Sequence, residues 1–171
     1  MPVTPTLELP RRSGATMTEA HGWRVPSVYS SVAAEYRSAT EGTGLADRSY
    51  LGRLELTGAD ALDLLDRLST NRLTDLTEAG AGVYTVLTSN KGRILDLLLV
   101  TRLEDRLLAV TGPDTRRKVA EWIDFYTFAE DVSVRDVTEE TAMFGVVGPG
   151  ATPTLDRLTG GTASTLEIGG S

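Results

Sequence analysis

The sequence predicts an α+β fold in which helices pack on a largely antiparallel sheet, and three stretches carry that prediction. First, Tyr84–Val100 (YTVLTSNKGRILDLLLV) holds two strand-like runs, Tyr84–Leu87 and Ile94–Val100, around a polar turn at Ser89–Gly92. β-Branched flanks with Asn-Lys-Gly at the tip are a hairpin signal. Second, Tyr50–Thr57 alternates as a strand, with Leu51, Arg53 and Glu55 on one face and Leu54 and Leu56 on the other. Third, Ala61–Leu68 repeats leucine at 62, 65 and 68, which gives a helix one apolar face.

The remaining elements follow in chain order. Residues 1–20 hold no continuous apolar core or cleavage-site pattern and are expected to be a flexible lead-in rather than a signal peptide. Val28–Glu41 is expected to be a helix, closed by Gly42 and Gly44, with Leu45–Ser49 as a connector. Gly58-Ala59-Asp60 caps the second helix. Leu107–Thr111 reads as a strand, and Asp114 or Thr115 caps a helix running to about Phe125. Val132–Val137 and Ala142–Val147 are further strands. Gly148-Pro149-Gly150 stops the last of them, a short helix covers Ala151–Leu158, and Thr165–Ile168 opens one more strand.

Composition excludes several classes. The chain has 171 residues, 40% of them hydrophobic and 24% charged, as in an ordinary globular protein. No window is apolar enough to span a bilayer, so no membrane partner is expected and cytoplasmic placement is the default. A net charge of −7 argues against direct nucleic-acid binding. There is no cysteine to form a disulfide or a thiolate ligand, and one histidine, His21, which by itself builds neither a metal cluster nor a catalytic triad.

Few residues carry chemistry on their own. The run Ile94–Val100 is mostly aliphatic and is expected to be buried on both faces, so Asp96 within it is either a structural hydrogen-bond acceptor or a ligand contact. Lys91 and Arg93 fit a solvated hairpin tip better than an anion site. Arg116, Arg117 and Lys118 stand in the first turn of a helix, where the macrodipole disfavours cations, which marks either a phosphate or carboxylate contact or a solvated surface. His21 beside Trp23 reads as local packing. No phosphate loop or nucleophile elbow is present.

The order of segments says more. Asp47-Arg48-Ser49-Tyr50-Leu51-Gly52, Thr70-Asn71, Gly92–Asp96 and Gly148-Pro149 occur in the order of motifs in a known family. From about Gly22 to Ala151 the chain resembles the folate-binding domain shared by the glycine-cleavage T-protein (an aminomethyltransferase) and YgfZ-type proteins. The resemblance implies an incomplete folate-binding domain over residues 21–150, with 151–171 as the truncated start of the next segment. It implies tetrahydrofolate or a derivative as ligand, in a pocket matched here by Leu51, Tyr84, Leu97, Leu99 and Thr111, with no metal or flavin.

T-proteins carry two successive carboxylates where this chain has Asp96-Leu97, and the second is the one set against the folate nitrogens. Leu97 in that place, and the likeness of Trp122–Val137 to the YgfZ branch, imply a folate-binding accessory protein without transferase activity. Its partners would be a reduced folate and iron–sulfur client proteins, or its role tRNA modification. The alternatives are an aminomethyltransferase using another acid, the folate domain of a sarcosine or dimethylglycine dehydrogenase, and a module that has lost its cofactor.

Overall fold

The computed structural model describes residues 14–161. In chain order the elements are β1 (Thr16–Ala20), β2 (Trp23–Val28), α1 (Val32–Glu41), β3 (Gly44–Asp47), β4 (Gly52–Thr57), α2 (Ala61–Leu68), β5 (Gly82–Thr88), β6 (Ile94–Arg102), β7 (Leu107–Thr111), α3 (Arg116–Phe125), β8 (Ser133–Asp136), β9 (Phe144–Val147) and α4 (Ala151–Thr159). The α+β prediction holds. The described residues form two compact units, one from 14–50 and 139–161, the other Leu51–Thr138.

In the first unit β1 and β2 form a hairpin across His21-Gly22, with Ala20 paired to Trp23. Part of the expected flexible lead-in is therefore strand, because both turn residues take positive φ and close a two-residue loop. The helix expected from Val28 begins at Val32 instead. Ser31 caps it by accepting from the Ala34 N–H, and Glu35 Oε1 accepts from the N–H groups of Tyr29 and Ser30. The connector after it is strand β3, antiparallel to β9. The strand expected at Thr165–Ile168 lies outside the described residues.

The second unit is a five-stranded sheet in the order β5-β6-β7-β4-β8, antiparallel at every pairing. Its two helices supply Ala61, Leu64, Leu65, Val119 and Ile123 to a core completed by Leu54, Leu56, Leu87, Leu98, Val100, Leu107 and Ala109 from the strands. Every strand residue in that set has the same phase of the pleat, so the helices cover one face of the sheet. The buried stripe of α2 runs through Ala61, Leu64 and Leu65, one position off the Leu62-Leu65-Leu68 face expected from the leucine spacing.

At the foot of α2, Asp60 does not cap its own helix. Its carboxylate accepts from the Asp131 N–H at 2.8 Å, and the Asp131 carboxylate accepts from Ala59 N–H at 3.1 Å. Close by in sequence, Glu130 accepts from Arg67 at 2.9 Å and from the backbone N–H groups of Phe128 and Ala129. The Arg67 bond first, then those backbone donors, hold the Glu130 carboxyl at about 2, below its usual 4.5. A depressed carboxyl contributes stability above its unfolded-state pKa and loses it as the folded value is approached. Melting temperature should therefore fall between pH about 4.5 and about 2, and Glu130→Gln should flatten that part of the profile.

Candidate functional site

Strand β6 decides what the second unit can offer a ligand. It was expected to be buried on both faces, yet only one face is: Leu98 and Val100 are fully buried, while Leu97 is 56% exposed. Both helices of this unit lie on the core side, so among the described residues of the unit the apolar run is core on one side and exposed on the other.

Register shows what shares that open face. Tyr84 pairs with Leu99, Leu99 with Val110, and Val110 with Arg53, in one line across β5, β6, β7 and β4. Val86 and Leu97 form the next pair toward the hairpin tip. Tyr84 is 63% exposed, and Val86, Leu99 and Val110 are half-buried. At adjacent-strand spacing the line from β5 to β7 is an apolar strip about 10 Å wide. That width suits a flat two-ring heterocycle.

The far end of the same face is ionic. Glu55, opposite Arg135 on β8, meets Arg106 at 3.0 Å and Arg135 at 3.1 Å. Arg53, between the two regions, is buried, and its guanidinium donates to the carbonyls of Leu51 and Thr138. The face thus carries an apolar strip, a buried cation at its margin and an ion-paired cluster beyond.

The structure brings together three of the five residues that the family resemblance assigns to a pocket: Tyr84, Leu97 and Leu99. Leu51, half-buried, lies in the bend just before β4. Thr111 lies apart. It is 2% exposed, pairs with Gly52 and has the phase of the buried Leu107 and Ala109, so its side chain lies on the core side. Its hydroxyl donates to Gly112 O at 2.9 Å. A Cβ on Gly52 would lie 2.1 Å from that hydroxyl oxygen, so only glycine permits this approach of β4 to β7. Val86, Val110 and Arg53 share the open face and were missed. The strand periodicity in Leu107–Thr111 could have suggested Val110, but every residue there except the last is apolar, which hides the phase.

Asp96 is a structural acceptor. Its Oδ2 accepts from Gly112 N–H at 2.9 Å and from the Thr115 hydroxyl at 2.5 Å, and its Oδ1 accepts from Leu97 N–H at 2.8 Å. One carboxylate thus ties β6 to the turn that opens α3. Asp96→Asn places an amide among three donors and should cost about 1–3 kcal/mol, read as a lower urea midpoint. An unchanged midpoint would remove this role.

Other motif residues are also structural. Asp47 Oδ1 accepts from Ser49 N–H at 2.9 Å, and the buried Ser49 hydroxyl accepts from Met143 N–H at 3.2 Å. The Thr70-Asn71 step clamps β5. Thr70 N–H donates to Val86 O, Val86 N–H to the Thr70 hydroxyl, and Asn71 N–H to the buried Thr85 hydroxyl. Among the described residues no cluster of acidic, histidine or cysteine side chains could hold a metal ion, and no helix is long and apolar enough to cross a membrane.

Comparison with known proteins agrees with this architecture. The crystal structure of glycine cleavage system aminomethyltransferase T from Bartonella henselae superposes with a TM-score of 0.84 over 97% of this chain and 45% of that one. At 24% identity it speaks for the fold alone. Among curated proteins, the aminomethyltransferase of Symbiobacterium thermophilum is 35% identical over 96% of this chain, and that of Halalkalibacterium halodurans 32% identical over 91%. The aminomethyltransferase of Bacillus subtilis is 30% identical over 96%. The chain spans less than half the length of each, 42–45%.

These relatives overturn the YgfZ-type accessory reading, and its iron–sulfur clients and tRNA role go with it. The passage Trp122–Val137 that suggested it builds the end of α3, a turn and β8. The description GCVT N-terminal domain matches residues 7–168, nearly the whole sequence, and the chain belongs to that family.

Proposed function

We propose that this chain is the folate-holding part of an aminomethyltransferase-type protein, which transfers a one-carbon unit to tetrahydrofolate. One observation carries the reading: Tyr84, Leu97, Leu99 and Val110 lie together on an uncovered face of three adjacent strands. The pterin would lie against this strip, excluding water from one of its faces, with Arg53 at the margin. Leu51, just before β4, would border it. Thr111 would act only from behind, by holding β7 against β4. The aminomethyltransferases named above support the transfer chemistry by kinship.

Leu97 sets a condition on that chemistry. Asp96 cannot stand in for a carboxylate at position 97, because successive side chains of a strand point to opposite faces and Asp96 is held on the other side by Gly112 and Thr115. The strip therefore binds and orients, and any acid or base acting on the folate comes from a group outside β6. Calorimetric titration of the protein with tetrahydrofolate should show saturable binding, and a flat trace would sink the proposal. Turnover of an aminomethyl-lipoyl donor with tetrahydrofolate then tests transfer. Saturable binding without turnover would keep the folate site and remove the transferase activity.

A further inference from the structure

Helix α3 carries its charges against its own dipole. Its first turn holds Arg116, Arg117 and Lys118 and no acid, and its last turn holds Asp124 and no base. A helix N-terminus disfavours cations and a C-terminus disfavours anions. Arg116 is ion-paired with Asp136 at 3.4 Å. Arg117 reaches Glu121 at 3.4 Å, and both are well exposed. Neither the core nor the folate strip uses this arrangement.

The same helix lines a feature at the sheet's margin. Ala120, Glu121, Asp124 and Thr127 form one side of a shallow groove, with Val132 and Val134 on the other. β8 is the edge strand of its sheet. Arg117, Ala120, Glu121 and Asp124 follow at helical spacing, and Phe128, 80% exposed, continues the stripe past the helix end. A basic start and an acidic end on one stripe are self-complementary when two such helices run antiparallel.

We propose that this stripe and groove form a two-fold contact with a second copy of the chain, in which antiparallel α3 helices set Arg117 of each copy against Asp124 of the other. An axis between Ala120 and Glu121 gives that register, and it sets the small Ala120 of each copy against Glu121 of the other. A two-fold axis makes each ion pair twice, and the exposed Phe128 of each copy covers the end of the seam. Ten helical residues span only about 15 Å, so the contact falls below the usual size of a stable interface and the dimer is weak and reversible.

Sedimentation velocity of the protein from low micromolar to near-millimolar concentration tests this without any folate present. A concentration-dependent dimer is expected, and Phe128→Asp should shift it to monomer. Arg117→Asp should weaken it roughly tenfold, since two exposed pairs are lost at once. That substitution puts an acid where the helix dipole favours one but sets it against Glu121 one turn on, so the two effects offset and the melting temperature should change little while association falls. Asp124→Arg should weaken the dimer likewise, and Arg117→Asp with Asp124→Arg should restore it. A monomer at every concentration, a dimer indifferent to Arg117→Asp, or a charge swap that fails to restore association would overturn the proposal.

Discussion

Leu98→Ala should destabilise the protein by about 2–5 kcal/mol, while Leu97→Ala, one residue earlier, should move stability by no more than about 0.5 kcal/mol. Leu98 is fully buried in the core beneath α2 and α3, and truncation there leaves a cavity its neighbours fill only in part. Leu97 is more than half exposed on the uncovered face and leaves no cavity when shortened. Urea unfolding of the two variants beside the parent reads the contrast directly. Equal losses at both positions would mean that β6 is covered on both faces, and the apolar strip would then be closed to a ligand.

Leu99→Glu should weaken tetrahydrofolate binding about a hundredfold, close to 3 kcal/mol, because the pterin would have to cover an unpaired carboxylate. Leu99 stands in the middle of the line Tyr84–Leu99–Val110, so its side chain cannot be bypassed by a small shift of the ligand. It is half-buried, on the face away from the core, so the folded chain should tolerate the change. Calorimetric titration measures the affinity and the urea midpoint controls for folding. Unchanged affinity in a folded variant would place the folate elsewhere on the molecule.

The parts of the fold that were legible in the sequence are those whose partners are close along the chain. The hairpin of β5 and β6 announces itself through Ser89–Gly92. There Gly92 N–H donates to Ser89 O, Ser89 N–H donates to Arg93 O, and both strands flank the turn within a few residues. Strand β3 was missed for the opposite reason. It is four residues long, and its partner β9 lies about a hundred positions away, so no local pattern distinguishes Gly44–Asp47 from a loop. The candidate site was half legible. A strand facing a ligand and a strand facing a second layer are both apolar, so Ile94–Val100 read as buried on both sides. Which side was open depended on where the helices landed. Phase failed in the same way at Thr111, which follows four apolar residues and gives no sign of which way it points.

The strand order β5-β6-β7-β4-β8 also fixes the order in which this unit can assemble. The β5–β6–β7 meander closes through short connections and can form as soon as it leaves the ribosome. β4 precedes the meander in the chain but lies beyond it in the sheet, where Leu54 pairs with Ala109 and Asp136. It must wait through more than fifty residues of synthesis for its first neighbour and about eighty for its second. Closing loops of that length before any contact rewards them slows folding. During the wait Leu54 and Leu56 stand exposed in a nascent chain, so β4 is where a slow codon or a chaperone would have the most effect on yield.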